Sequence, residues 1–379
     1  MYRVAANFSR GAIAAWITVV ALFVTTGLDV PWKTPWVLAA LFAWLFVVVI
    51  WSALGAVHEA EGVARLIREP FSTLVLTLSV SVTEVVLIVA AMMVDREDST
   101  MARDAMYSVL MIVLNGVVGL GLLIGGRRHF EQVFNLQGAS AYLSVVIPLS
   151  AITLVLPTFT ASSTGGTLTA LQAVCFALMT LLLYGLFLFL QVGRHQRYFV
   201  DPGFADRAPG VSPTSASENV AHDIAPTPAK QVVIGGIRLL ACILPISLLA
   251  TPLATLLDHG LSALDIPAPV GGIVIAILVF APEGLSTLIA VTRNELTKAI
   301  NVSLGATLST LGITVPVVLL IGLFTGQDVI LGLPPTSIVL LATTLILATL
   351  TFSRARTTML EGGVHLAVFV AFLVLAFEP

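Results

Sequence analysis

The sequence predicts an all-α, polytopic membrane protein, and three observations lead to this fold class. Hydrophobic residues make up 58% of the 379 positions, charged residues only 10%, and the mean hydropathy is +1.02. Soluble globular domains carry about 25% charged residues. The few charges lie between long apolar runs rather than along one face of each run. Lipid is therefore the solvent that these runs require.

Eleven runs are candidates for membrane-spanning helices, each of which needs about 20 predominantly apolar residues. They lie near residues 11–27, 35–54, 71–94, 104–124, 140–158, 167–192, 231–255, 270–292, 299–322, 336–352 and 362–377. The first run follows two arginines, as the apolar part of a signal peptide does. Because no convincing cleavage pattern follows it, we interpret it as a retained first helix.

The distribution of Lys and Arg predicts the orientation of these helices, because cytoplasmic loops carry the excess of positive charge. With the amino terminus in the cytoplasm, only Lys33, Arg96 and Arg103 of the 18 Lys and Arg residues fall outside. An odd number of spans then places the carboxyl terminus outside.

One long polar stretch divides the chain. Residues 193–230 are rich in Pro, Ser, Ala and Asp, a composition that cannot bury a core and that predicts a flexible cytoplasmic linker. We expect a peripheral first helix (1–30), a five-helix repeat (31–192) and a second five-helix repeat (231–379). Because five is odd, the second repeat enters the membrane from the opposite side. Transporters with such inverted repeats bind substrate at the midplane where the repeats meet.

Two acidic residues, Glu84 and Glu283, fall near the centre of a run, whereas the others fall between runs. Each lies about fourteen residues into its run, on the second helix of its repeat, so inverted repeats would bring the two carboxyl groups together. Because a charge at this depth costs at least about 2.5 kcal/mol, such residues usually mark ion or proton pathways. The alternative role is a protonated Glu that donates a hydrogen bond between helices.

The chemistry of two carboxyl groups in a dehydrated pocket predicts exchange of a metal cation for protons. The pocket holds protons when no metal is bound, and a hard cation such as Ca2+ binds well only as the protons leave. We therefore expect Glu84 and Glu283 to be the cation- and proton-binding residues and the metal ligands, with no resident cofactor.

Neutral oxygen atoms near the two acids supply further candidate ligands. At Pro282 the candidate oxygens are those of backbone carbonyls, which a helix kink would free from their hydrogen bonds. For each candidate, a purely structural role is the alternative. The secondary candidates are Ser81, Thr83, Asn115, Pro282, Asn301, Ser303, Thr307 and Ser309.

At these residues the chain resembles the cation/proton exchangers of the calcium/cation antiporter superfamily, most closely the bacterial ChaA-type branch. The resemblance covers nearly the whole chain and is carried by SVSVTEVVLIV, GGRRHFEQVFN and APEGLSTLIAVTRNELTKAINVSLGATLSTLGITVPVV. It implies that Glu84 and Glu283 bind cations and protons, that Asn115 and Ser309 are repeat-related polar groups, and that Asn301 stands where relatives place a gating acid.

The sequence departs from the calcium-selective members of that family. Ser81-Val82 replaces a Gly-Asn pair before Thr83-Glu84, and Val279-Phe280-Ala281-Pro282-Glu283-Gly284 replaces Gly-Asn-x-Ala-Glu-His. Fewer ligating oxygens weaken the expectation of tight Ca2+ selectivity. The resemblance implies Na+ and K+ as alternative cations and the bacterial inner membrane as the location.

The expected partners are the lipid bilayer, the transported cations and protons. Without a basic patch, the chain offers nothing to nucleic acid, and assembly as a homo-oligomer is left open. A membrane-embedded hydrolase that acts on lipid phosphates is the alternative function. It would need Arg, or a nucleophilic Ser or His, at midplane beside the acids, and the sequence places no Arg or His there.

Overall fold

The computed structural model describes residues 2–25, 34–67, 71–94, 100–163, 165–199, 229–354 and 356–378, and these are helical almost throughout. The helices in these ranges are α1 (Tyr2–Thr25), α2 (Pro35–Ala64), α3 (Phe71–Val94), α4 (Met101–His129), α5 (Leu136–Phe159), α6 (Ala170–Val192), α7 (Ala229–Ala263), α8 (Ala268–Thr292), α9 (Leu296–Thr325), α10 (Pro335–Thr351) and α11 (Met359–Phe377). Two short strands, β1 (Gln132–Val133) and β2 (Arg356–Thr357), pair antiparallel.

The helices of the described residues have the length and composition of membrane spans. Nine of them are long and apolar enough to cross a bilayer. The other two contain the shorter apolar segments Arg10–Val24 in α1 and Pro335–Thr351, which is all of α10. Spanning helices run from about 17 to 25 residues, and α10 has 17. The predicted fold class, all-α and polytopic with about eleven helices, is confirmed.

Two helices extend furthest past the carboxyl ends of their apolar runs. The apolar run at 35–54 ends ten residues before the helix does, since α2 continues through His58, Glu59 and Glu61 to Ala64. The same is true of α7, which runs on past residue 255 to Ala263. Hydropathy marks only the part of a helix that lies in lipid, and the polar ends of these helices project beyond it.

The first residues of the predicted linker, 193–199, are described, and part of them is helical. A 3-10 helix at Gln196–Phe199 packs on α5, where the rings of Phe199 and Tyr142 meet edge to face with centroids 5.4 Å apart. The contact between Phe199 and Tyr142 therefore holds the segment that follows α6 against α5, as far as Phe199. Residues 200–228 lie outside the described residues, so the prediction of a flexible linker stays a prediction for them.

Several helix ends follow directly from local sequence. Asn135 caps α5 by accepting a hydrogen bond from the backbone N–H of Gln137. Thr169 and Gln172 form a reciprocal capping box at the start of α6. At the other end of its helix, Gly326 follows α9 with φ 69°, a left-handed conformation that glycine adopts without strain.

The helices pack across the two halves of the chain. The first helices of the predicted repeats, α2 and α7, lie against each other, and α1 covers both at the periphery. The acid-bearing helix α8 packs along α4, and the acid-bearing helix α3 contacts the middle of α9. Each acid-bearing helix therefore contacts the helix that follows the other one, as inverted repeats require. The repeat boundaries themselves stay a prediction.

Both of those partner helices contain a π-helical turn near the middle. It spans Ile112–Val117 in α4 and Thr310–Thr314 in α9. A π-turn adds one residue to a helical turn, so it changes which side chains face a neighbour, and such turns are frequent at functional sites. Their matching positions place irregular backbone beside both acid-bearing helices.

Candidate functional site

A cavity of about 780 Å³ lies among α3, α6, α8 and α9, and the side chains of Glu84 and Glu283 both line it. Their convergence is the central prediction from the sequence. Glu84 comes from α3 and Glu283 from α8, so the two halves of the chain each contribute one carboxyl group to a single cavity.

The carboxyl group of Glu84 is buried and has a hydrogen-bond donor from the other half of the chain. Only 5% of the residue is exposed. The hydroxyl group of Thr314, in the π-turn of α9, donates to Glu84 Oε1 at 3.0 Å. The irregular turn of α9 therefore supplies a polar partner to the acid of α3.

Glu283 is half-buried and has a different environment. It lies between Pro282 and Gly284 in the continuous helix α8. Its Oε2 atom is buried without a hydrogen-bond partner among the described residues. The Glu283 carboxyl therefore keeps an acceptor oxygen that no described protein donor occupies. In addition, because Pro282 has no N–H group, the carbonyl of Leu278 loses its usual partner within the helix.

A pair of hydroxyl groups joins α3 to α9 one turn away from Glu84. The Oγ atoms of Ser81 and Ser309 lie 2.5 Å apart, and Ser81 also donates to the carbonyl of Thr77 at 2.8 Å. Both serines line the cavity. They place neutral oxygens within the same wall as the acid.

The structure separates the predicted secondary ligands into two groups. Ser81, Asn301 and Ser309 line the cavity, and Asn301 donates from Nδ2 to the carbonyl of Phe199 at 2.7 Å. The remaining candidates are not among the described residues that line it. These are Thr83, Asn115, Pro282, Ser303 and Thr307.

Asn115 belongs to a separate buried network. Its Nδ2 donates to Thr344 Oγ1 at 2.8 Å, and its Oδ1 lies 3.2 Å from His365 Nδ1. The other ring nitrogen of His365 lies 3.0 Å from Thr351 Oγ1. Since Oδ1 can only accept, Nδ1 of the ring carries the proton in this arrangement. The side chain of Asn115 is thus held between α10 and α11.

Ser303 and Thr307 make hydrogen bonds within the helix layer. Ser303 Oγ lies 3.2 Å from Thr287 Oγ1, which joins α9 to α8, and the Thr307 hydroxyl donates to the carbonyl of Ser303 at 3.1 Å. Thr83 donates to the carbonyl of Ser79 at 3.2 Å. These contacts match the structural role that was the alternative for each residue.

Sequence reasoning missed Thr314, although this residue contacts Glu84 directly. Tyr142 and Gln191 were also missed, and they line the cavity with a 2.8 Å hydrogen bond between Gln191 Nε2 and the Tyr142 hydroxyl. The available signal was the density of Ser and Thr between 303 and 314, but it does not say which hydroxyl faces the acid.

Among the described residues, the cavity lining reaches charged helix ends on one side. Its wall continues from the two acids to charged residues at helix ends, namely Glu61 of α2 and Arg293, Glu295 and Lys298 around the α8–α9 turn. In the other direction the described lining stops near Glu84. The mouth therefore lies on the side that the charge distribution predicts to be cytoplasmic.

Backbone pairing joins two loops at the helix ends opposite the α8–α9 turn. The amide of Gly332 donates to the carbonyl of Gly166 at 2.9 Å. Arg103 donates from Nη1 to the carbonyl of Gly332 at 3.1 Å and forms an ion pair with Asp104 at 2.8 Å. These contacts join the start of α4 to the segments before α6 and α10.

The cavity can hold a cation only with the help of neutral oxygens. No group of three or more His, Cys, Asp or Glu side chains that could bind a metal occurs among the described residues. Hard cations accept hydroxyl and carbonyl oxygens beside carboxylates. Glu84 and Glu283 together with serine, threonine and backbone oxygens are therefore the available ligand set.

Comparison with known proteins gives matches over most of the chain. The family model described as sodium/calcium exchanger protein matches residues 37–193 and 235–378. The chain is 39% identical over 329 residues to the putative ionic transporter y4hA of Sinorhizobium fredii, with 86% of each protein covered. It is 36% identical over 335 residues to the sodium-potassium/proton antiporter ChaA of Escherichia coli, with 87% of this chain and 86% of that protein covered.

Solved structures match the same fold at lower identity. Native YfkE has a TM-score of 0.72 at 17% identity, and 97% of this chain and 99% of that chain are covered. An H+/Ca2+ exchanger, CAX, has a TM-score of 0.63 at 12% identity, with coverage of 97% and 89%. The helix arrangement described above is therefore shared with solved membrane exchangers.

Proposed function

Because the chain belongs to the sodium/calcium exchanger protein family, we propose that it is a secondary antiporter that exchanges metal cations for protons by alternating access. The observation that carries the proposal is the single cavity lined by Glu84 and Glu283, one from each half of the chain. The relatives named as antiporters support the same activity.

The exchange follows from competition for the same oxygens. A cation binds the ionised form of a carboxyl group, so protons must leave as it arrives. Glu84 and Glu283 carry protons in one direction and the cation in the other. If only the fully protonated and the cation-loaded forms change access, neither ion crosses without the other.

The described geometry supports an inward-open state of this cycle. The mouth at Arg293, Glu295 and Lys298 faces the cytoplasm in an orientation with the amino terminus inside and the carboxyl terminus outside. We assign the protein to the bacterial inner membrane in this orientation, on the basis of the Lys and Arg distribution and of its bacterial relatives.

We favour Na+ and K+ as the exchanged cations and retain Ca2+ as the competitor to be tested. The relative at 36% identity is named for sodium and potassium, whereas the relatives named as Ca(2+)/H(+) antiporters are 25% identical. Ca2+ usually takes six to eight oxygen ligands. A cavity with two carboxyl groups, one of which lacks a described donor, suits a less demanding cation.

A flux experiment tests the proposal. Purified protein is reconstituted into vesicles with an imposed pH gradient and an internal pH dye, and Na+, K+ or Ca2+ is added in turn. We expect Na+ or K+ to collapse the gradient in protein-containing vesicles and not in empty ones. If none of the three cations moves protons, the antiporter proposal is wrong. If Ca2+ alone does so, the cation assignment is wrong and the exchange stands.

The hydrolase alternative has no support from the comparisons, and the serines that line the cavity, such as Ser81 and Ser309, have no His beside them among the described lining residues. No His or Cys is among the described residues that line the cavity, and Arg293 lies at the mouth, ten residues beyond Glu283. The curated relatives named above are transporters or antiporters.

A further inference from the structure

Two glutamine side chains make the same contact in the two halves of the chain. Nε2 of Gln132, just after α4, donates a hydrogen bond of 3.2 Å to the backbone carbonyl of Val291 in α8. Nε2 of Gln327, just after α9, donates one of 3.2 Å to the carbonyl of Met92 in α3. The two contacts share the donor, the kind of acceptor and the length.

The acceptors also occupy matching positions relative to the two acids. Met92 lies eight residues after Glu84, and Val291 lies eight residues after Glu283. Eight residues of α-helix rise about 12 Å. Each glutamine therefore holds an acid-bearing helix at the same distance from its carboxyl group, and it does so from the other half of the chain.

The helix ends explain why a glutamine is useful at these two places. The last four carbonyl groups of an α-helix have no partner within the helix. Because α3 ends at Val94 and α8 at Thr292, the carbonyls of Met92 and Val291 both belong to this last turn. The carbonyl of Val291 also accepts the backbone N–H of Asn294 in the following turn, at 3.0 Å. A side-chain donor can therefore secure the helix end without breaking any bond of the helix itself.

The surroundings of Gln132 provide acceptors for its amide nitrogen, whereas its oxygen Oε1 is buried without a hydrogen-bond partner among the described residues. Only 1% of the residue is exposed, and its Nε2 also reaches Oδ1 of Asn294 at 3.0 Å. Asn294 has φ 61° in the turn that joins α8 to α9. A Cβ atom on Gly125 would collide with the carboxamide oxygen of Gln132. The first glycine of the motif GGRRHFEQVFN thus makes room for the glutamine of the same motif.

The two contacts lie at opposite ends of the helix bundle. Gln132 lies beside the α8–α9 turn and reaches Asn294, whereas Gln327 follows the other end of α9. The same kind of hydrogen bond, with the same length, is therefore present at both ends of the bundle.

From these contacts we infer that Gln132 and Gln327 are a matched pair of positioning residues for cation exchange. Each sets the depth of the acid on the opposite half, Gln132 for Glu283 and Gln327 for Glu84. The inference rests on the proposed antiport function and adds two residues to the machinery of the same site. Neither glutamine touches the cavity, so both act through the helix that they hold.

The test compares Gln132→Met and Gln327→Met with Gln137→Met. Methionine keeps the approximate size and removes the donor, and Gln137 is an exposed control five residues after Gln132. In the vesicle assay each tether variant should raise the half-saturating cation concentration about threefold to tenfold, the effect of losing one hydrogen bond. The maximal rate should stay within about twofold of the unmodified protein, because a tether positions the site without gating it.

A second readout does not depend on transport. Hydrogen exchange of the peptide that covers residues 289–299 should be at least about fivefold faster in Gln132→Met than in Gln137→Met, because the turn loses its side-chain donor. Unchanged exchange rates and unchanged half-saturation would overturn the inference. Faster exchange with unchanged half-saturation would overturn the positioning role. Absence of flux in the unmodified protein would end the proposed function and the positioning role with it, while faster exchange would still establish the tether.

Discussion

The hydroxyl group of Thr314 donates a hydrogen bond of 3.0 Å to Oε1 of Glu84, and this bond joins the π-turn of α9 to the middle of α3. No donor from the described residues reaches Oε2 of Glu283. The two acids that the sequence presents as equivalents are thus unequal in this conformation. One is held by the opposite half, and the other keeps a lone pair for a proton or a cation.

The first prediction concerns the two acids themselves. Glu84→Gln and Glu283→Gln each remove one ionisable group while they keep its size and hydrogen-bonding capacity. We expect either variant to reduce cation-driven proton flux in reconstituted vesicles to the level of empty vesicles, because no other described acid lines the cavity at that depth.

Membrane insertion and yield should be unchanged in both variants, since neither loses packing volume. Glu131→Gln is the control, because it removes an exposed carboxylate that pairs with Arg356 outside the cavity. Flux near the normal rate in Glu84→Gln or in Glu283→Gln would remove that residue from the mechanism.

The second prediction isolates the hydrogen bond from Thr314. Thr314→Val keeps the branched shape and removes the hydroxyl that donates to Glu84. The cation binds a carboxylate, and a hydrogen bond to a charged group is worth about 1.5 kcal/mol or more, so its loss should raise the half-saturating cation concentration about tenfold.

Thr343→Val is a matched control for that variant, because Thr343 is an exposed residue of α10 whose hydroxyl bonds only to its own helix at Val339. It should leave the half-saturating concentration unchanged. Equal values for the two variants would mean that Thr314 contributes packing alone.

The third prediction follows from competition between protons and the cation. A carboxyl group must lose its proton before it can bind a cation, so the apparent cation affinity should fall as the pH falls. At pH values where the site is protonated, each unit of acidification should raise the half-saturating concentration by up to about tenfold per displaced proton. Initial flux measured at a series of equal internal and external pH values gives this slope, and a half-saturating concentration that is independent of pH would contradict a shared site.

The positions of the two acids in the sequence predict that they share one site, and in the structure both side chains line the same cavity. Glu84 and Glu283 interrupt apolar runs at the same depth, and the cost of a charge there singles them out. Their partners could not be predicted in the same way. A π-turn shifts every later side chain around the helix axis, so the regular helical spacing that relates Ser309 to Thr314 no longer says which hydroxyl faces α3.

The same effect explains the placement of Asn115. Asn115 is one of the predicted secondary ligands, but it lies within the π-turn at Ile112–Val117, and its side chain contacts α10 and α11. Its partners Thr344 and His365 lie more than 200 positions along the chain. Such a long-range pairing has no local signature in the sequence.

The fourth prediction therefore treats Asn115 as a structural residue. Asn115→Leu leaves the Nδ1 group of His365 without its acceptor, and a buried unsatisfied donor costs about 1 to 3 kcal/mol. The melting temperature of the purified protein should fall by about 3 to 6 °C, whereas the half-saturating cation concentration of the folded fraction should stay within about twofold of normal. Thr344→Val should reproduce this pattern, because it removes the acceptor of the same carboxamide. The opposite result, a large loss of cation affinity with an unchanged melting temperature, would return Asn115 to the binding site, since a residue that only supports the packing of α4 against α10 and α11 cannot act on the cation without a loss of stability.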